Sequence, residues 1–246
     1  MRAIVVNASI LQGLSVAAWI AAPVGSAVAA RVEGTVVIEG WVAPKSAAPV
    51  VRTDPACPAV AERPLATATG GVPDVLVRLP VGAAKPGKAP PAPLTVEQKG
   101  CEYRPRVAGL VRGQELVMKS ADGTLHNVHA WRDGETEFNL AQPAGSAPIT
   151  RAVDAAAGEI VKLTCDVHAW MTAWVVVVDH PVFAVTDDAG AFALDLPPGK
   201  HTLQAWHPTL GSRDVAITVD QRVGKGKPAK IRITFPNPKM IEKTQP

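Results

Sequence analysis

Thr164-Cys165-Asp166-Val167-His168-Ala169-Trp170-Met171 places a thiol, an imidazole and a thioether within seven residues, spaced Cys-x2-His-x2-Met. Sulfur donors combined with imidazole suit copper better than magnesium, calcium or manganese, which prefer oxygen. Two histidines, a cysteine and a weak axial methionine are the ligand set of a mononuclear site that passes electrons. The stretch supplies one histidine, so the second must come from elsewhere. Leu125-His126-Asn127-Val128-His129 is where it is expected. In an extended strand His126, Val128 and Ala130 share one face, while Asn127, His129 and Trp131 share the other. Val161, Leu163 and Cys165 likewise share a face, with Lys162 and Thr164 opposite. His126 and Cys165 then each end an inward-facing apolar row, at the rim of a sandwich core. His129 faces away and reads as structural or surface.

The chain has 246 residues, enough for one or two domains with real cores. Residues 1–30 read as a cleavable export leader: Arg2, an apolar run from Ile10 to Ala22, and small residues at Ala27-Val28-Ala29-Ala30. An uncleaved membrane anchor is the alternative. After cleavage the protein is expected to be soluble, without membrane insertion, and periplasmic or secreted. The formal net charge of +3 falls to +2 without Arg2, too little to imply nucleic acid or an anionic membrane as partner. The 23 prolines and 20 glycines mark many turns, and Val-rich runs favour short strands over helices. Three cysteines leave one over after pairing. The economical arrangement is a Cys57–Cys101 disulfide with Cys165 kept as a metal thiolate. The alternative pairs an oxidised Cys165 with one of the other two.

Strands are expected over Arg31–Trp41 and Val72–Leu79, followed by a flexible linker at Gly82–Pro93. Asp122-Gly123 is a turn signal before the histidine strand. Trp174–Val178 is apolar at every position, as in a strand covered on both faces. Beyond His180-Pro181 the pattern becomes a β-meander. His180, His201 and His207 stand singly beside Pro or turn residues and read as solvated. No helix has a convincing start, period and stop.

From Leu94 to about Val178 the chain resembles the cupredoxins, and within them the amicyanin type. The carrying features are Gly-Cys-Glu-Tyr-Arg-Pro (100–105), Val-Arg-Gly-Gln (111–114), Leu-His-Asn-Val-His-Ala (125–130) and Gly-Glu-Ile-Val-Lys-Leu-Thr-Cys-Asp-Val-His-Ala-Trp-Met (158–171). The resemblance implies one type 1 copper ion held by His126, Cys165, His168 and Met171, with Asn127 bracing the ligand loop. Ala169 stands where the family usually has proline. Val185–Leu203 is similar to carboxypeptidase regulatory-like domains, small transthyretin-like sandwiches. Strands resembling that domain's first ones lie before the copper segment, which suggests that this segment is inserted into the second sandwich.

The expected fold is therefore all-β: a cupredoxin Greek-key β-sandwich plus a second small transthyretin-like β-sandwich. Residues 31–93 form an N-terminal β segment, 94–180 the cupredoxin domain and 181–246 the regulatory-like segment. The expected role is a one-electron carrier serving a redox partner protein. The alternatives are copper storage or delivery, or a non-redox module binding a protein or glycan. No Ser/His/Asp set, phosphate loop or second copper cluster is legible. A site filled by protein donors leaves no position for substrate, so no enzymatic activity is expected.

Overall fold

The computed structural model describes residues 29–44, 49–50, 54–58, 60–61, 63–220 and 228–238. The expected leader lies outside them except for Ala29 and Ala30, and Ala30 is the buried first residue of a strand. The described residues form eighteen strands, and no helix among them is long and apolar enough to cross a membrane.

In chain order the first strands are β1 (Ala30–Ile38), the short pair β2 (Pro49–Val50) and β3 (Val60–Ala61), and β4 (Leu76–Arg78). Next come β5 (Leu94–Gln98), β6 (Tyr103–Arg104), β7 (Val107–Val111), β8 (Glu115–Ser120), β9 (His126–Arg132), β10 (Glu135–Gln142), β11 (Ile149–Ala152), β12 (Ile160–Thr164) and β13 (Thr172–Val178). The last are β14 (Phe183–Val185), β15 (Ala191–Leu196), β16 (Gly199–His207), β17 (Gly211–Val219) and β18 (Ala229–Phe235).

Strands β5 to β13 make one sandwich. A five-stranded sheet in the order β10-β9-β12-β13-β7 faces a four-stranded sheet in the order β11-β8-β5-β6. Val96, Leu116 and Met118 from the smaller sheet meet Val128, Ala130, Leu163, Val175 and Val177 from the larger one. Each fully buried Val or Leu contributes about 1.5–3 kcal/mol of transfer free energy, so this layer dominates the stability of the site's scaffold.

Apart from β2 and β3, which pair only with each other, the other strands make a second sandwich, from sheets ordered β15-β1-β18 and β14-β4-β16-β17. In β1 the residues alternate, with Ala30, Val32 and Val36 buried and Arg31, Glu33 and Thr35 exposed, which gives the sheet one apolar face. β1 pairs antiparallel with β15 and parallel with β18, so segments from the two ends of the described chain share one sheet. The turn at Asp187–Gly190 leads into β15. There the Asp187 carboxylate accepts the Ala189 and Ala191 N–H groups, and Gly190 sits at φ +80°.

β13 joins the two sandwiches. Ala173, Val175 and Val177 face the first core, while Val176 and Val178 pack with Leu76, Val107 and Val111. Gly109 on β7 lets Phe183 close this interface, since a Cβ there would stand 2.5 Å from the Phe183 ring.

Two sequence expectations differ in detail. The strand expected over Val72–Leu79 is regular only at Leu76–Arg78, because Pro73 has no N–H to donate and Asp74 takes a left-handed φ of 59°. Residues 71–72 instead bond to β1, and the chain crosses between sheets at this point. Residues 82–93 hold no strand, yet they pack as a strap: Gly82 and Gly87 donate to Asp179, and Ala89 joins the inter-sandwich cluster.

Candidate metal centre

β12 lies antiparallel between β9 and β13, with Leu163 opposite Ala130 and Thr164 opposite His129. This register sets the start of β9, at His126, beside the residue that follows β12, Cys165. The connection from Cys165 to Met171 is a tight turn. Met171 N–H donates to the His168 carbonyl at 2.9 Å, and Cys165 N–H to the Met171 carbonyl at 3.3 Å. His126, Cys165, His168 and Met171 are all buried, while Val167 at the loop's tip is exposed.

Three donor atoms converge. The Nδ1 atoms of His126 and His168 are 2.9 Å apart, and the Cys165 sulfur lies 4.0 Å and 3.8 Å from them. Cys165 is the free cysteine, because Cys57 and Cys101 are joined in a disulfide. The opposite edge of each imidazole is held by a carboxylate: His126 Nε2 by Asp122 Oδ2 and His168 Nε2 by Asp54 Oδ2, both at 3.0 Å. A proton on Nε2 shared with the carboxylate leaves the lone pair on Nδ1. Two such nitrogens 2.9 Å apart repel each other unless a proton or a cation lies between them, and the Cys165 sulfur faces the same buried space. That is a site for a soft cation, and the donor set fits copper. Met171 shares the apolar cluster with Cys165 and Trp170.

A second layer fixes the loop. Asn127 Oδ1 accepts the Asp166 N–H at 2.7 Å, and its amide donates to the Asp166 and Asn139 side chains. His129, which faces away from the donors, bonds Asp166 through Nδ1 at 3.0 Å and stacks on Trp131. Hydrogen bonds from His129 and Asn139 hold the Asp166 carboxyl below its ordinary range. The buried Tyr103 hydroxyl bonds the carbonyl oxygens of Asn127 and Thr164, and burial pushes its pKa up. Trp170 donates to the Cys101 carbonyl, with its ring 5.1 Å from that of His168.

The carboxylates carry their own supports. Burial raises the Asp122 pKa, but the Cys101 and Gly100 N–H groups and His126 outweigh it and leave the carboxyl lowered. Asp54 is lowered by Thr124, by the Ala56 N–H and by His168. Burial pushes the His126 pKa down against the pull of Asp122.

Sequence reasoning saw Asp122 only as a turn residue and did not single out Asp54. Asp122 precedes His126 by four residues, a spacing that could have flagged it. Asp54 lies 114 residues from its partner, and no local pattern connects them. His180 and His207 are not solvated as expected but buried, each taking a following backbone N–H on Nδ1. Their burial is invisible to a reading of single residues beside turns.

Neither a protein-family model nor a curated protein matches this chain. Solved structures that it resembles include a purple cupredoxin from Nitrosopumilus maritimus, 17% identical, covering 34% of this chain and 98% of that one, with a TM-score of 0.30. An amicyanin variant in its Cu(I) form is 16% identical over 41% of this chain and 97% of that one, at 0.30. A copper-containing nitrite reductase from Thermus scotoductus is 17% identical over 41% of this chain, also at 0.30, and the match spans 25% of the reductase. The expectation that the chain is no enzyme is withdrawn, since a named reductase stands among the structures that it resembles. The all-β, cupredoxin-like architecture of this chain rests on the sheet order and site described above.

Proposed function

We propose that this chain is an exported protein whose His126, Cys165 and His168, with Met171 as a further weak donor, would hold one type 1 copper ion, and that it exchanges single electrons with a redox partner protein. The observation that carries the reading is the convergence of the two Nδ1 atoms and the Cys165 sulfur within 4.0 Å, each imidazole braced from behind by a carboxylate. Copper bound there would supply the Cu(I)/Cu(II) couple. The chain's own residues do the rest. Asp54 and Asp122 orient the imidazoles, Asn127 ties the loop to β9, and the buried apolar rim excludes water. A ligand set fixed in this way moves little when an electron arrives or leaves. The Cys57–Cys101 disulfide supports an oxidising compartment, periplasmic or extracellular. The second sandwich is read as the transthyretin-like module suggested by Val185–Leu203.

One observation favours a second reading, copper held for storage or delivery: the outer edge of His168 is covered by Asp54 rather than open to a partner. Titration with Cu(II), followed in the visible and then through reductive and oxidative cycles, separates the two. Electron exchange predicts one equivalent of copper, intense colour lost on reduction and regained on oxidation, and no such colour in Cys165→Ser. Stoichiometric copper that never colours the protein would end the electron-exchange reading. Colour without reversible cycling would leave storage.

A further inference from the structure

The second carboxylate of the site comes from outside the sandwich that holds the other donors. Asp54 belongs to the segment before β4, and its anchorage is unusually complete. Its Oδ1 accepts the Ala56 N–H at 2.8 Å and its backbone carbonyl accepts the Cys57 N–H at 3.0 Å, which makes the residues from Asp54 to Cys57 a closed turn. Its Oδ2 accepts the Thr124 hydroxyl at 2.8 Å and faces His168 Nε2 at 3.0 Å. Cys57 is bonded to Cys101, whose N–H donates to Asp122, the carboxylate behind His126. The disulfide sulfurs lie within 4.8 Å of a His168 nitrogen. One covalent link thus ties together the supports of both imidazoles.

We infer that Asp54 is the positioning residue of His168: it fixes the imidazole with its proton on Nε2 and its lone pair on Nδ1, and the Cys57–Cys101 bridge latches it there as a cap over the ligand edge. The inference rests on the copper reading for its metal arm only, because the tautomer is a property of the metal-free chain. The asparagine variant gives it a sharp form. In Asp54→Asn the Ala56 N–H still demands an acceptor at the Oδ1 position, so the new NH2 group takes the place of Oδ2. Two donors would then face each other unless His168 accepts at Nε2 and moves its proton to Nδ1. That tautomer has no lone pair to offer a metal beside Cys165.

Long-range 1H–15N spectra of the metal-free full chain report which nitrogen of His168 carries the proton. The expected result is Nε2–H in the wild type and Nδ1–H in Asp54→Asn. Cu(II) affinity, measured by competition with a chelator such as EDTA, is expected to fall about 10–100-fold in Asp54→Asn and in Asp54→Ala, the range found when an outer partner of a ligating histidine is removed. Nε2–H retained in Asp54→Asn, or an affinity within about twofold of wild type in both variants, would overturn the inference. A wild-type chain that takes up no Cu(II) would overturn the copper reading instead, and the shift of the tautomer would still decide the role of Asp54.

Discussion

Replacing both bridge cysteines, as Cys57→Ala with Cys101→Ala, tests the scaffold of the metal centre most directly. The bridge closes a loop with a sequence separation of 44 residues. The chain-entropy relation gives about 4 kcal/mol at 25 °C for a loop of that length. This is a large share of the roughly 5–15 kcal/mol that stabilises a typical protein. Alanine is the right replacement, since both sites are buried and a serine hydroxyl would add an unsatisfied polar group. Urea unfolding followed by tryptophan fluorescence is the assay. Trp170 donates to the Cys101 carbonyl and reports on the region that loses its tether. With a slope of about 2 kcal/mol per molar urea, the midpoint of that transition should fall by about 2 M. Copper colour should survive, because Cys165 is untouched, but the metal should be held less tightly as Asp54 and Asp122 lose their common anchor. A midpoint unchanged within error, or three titratable thiols in the untreated denatured protein, would refute the reasoning. The expected count is one thiol, from Cys165.

His207 predicts a pH dependence away from the metal centre. Burial, with a lesser push from Arg106, lowers its pKa from 6.5 to about 4. Between those values the unfolded chain takes up a proton that the folded chain refuses, so stability should fall as pH drops from 6.5 towards 4, by about 3 kcal/mol at the lower end. Replacement by Asn, which can still accept the Thr209 N–H, should flatten that part of the profile; an identical slope in both proteins would rule the assignment out. Gly190→Ala should cost about 2–4 kcal/mol, because its Cβ would stand 2.6 Å from the Val36 carbonyl and the Val72 N–H at a left-handed φ. Gly211→Ala, also at positive φ but with open space around it, should cost only about 1 kcal/mol in the same denaturation assay. Equal losses would show that packing against β1 does not matter there.

The convergence of His126, Cys165 and His168 was legible because each sits in a pattern that local chemistry fixes. Cys-x2-His-x2-Met puts a thiol, an imidazole and a thioether in one turn, and period-two alternation singles out His126 rather than His129. The double-sided burial of β13 was equally plain from Trp174–Val178. What local sequence could not supply was contact across long separations. Asp54 meets His168 beside the disulfide that ties Cys57 to Cys101, a contact that no local pattern encodes. The burial of His180 and His207 arises in the tertiary fold, and nothing in their immediate neighbours encodes it. The Gly82–Pro93 stretch has the composition of a loose tether, yet its backbone donors find Asp179 and its small residues fit against Pro181.

The parallel pairing of β1 with β18 gives the molecule a mechanical character. Seven residue pairs hold the two strands together, from Val32 opposite Ala229 to Ile38 opposite Phe235. The chain leading into β1 and the chain leading out of β18 leave this ribbon at opposite ends. Tension applied through those flanks would therefore slide one strand along the other and load every rung together, instead of peeling them apart singly. The nine strands of the sandwich that carries the His126–Cys165–His168 cluster lie between β4 and β14, downstream of that lock along the load path. A pull on the flanking segments reaches the His126–Cys165–His168 cluster only after the ribbon has sheared.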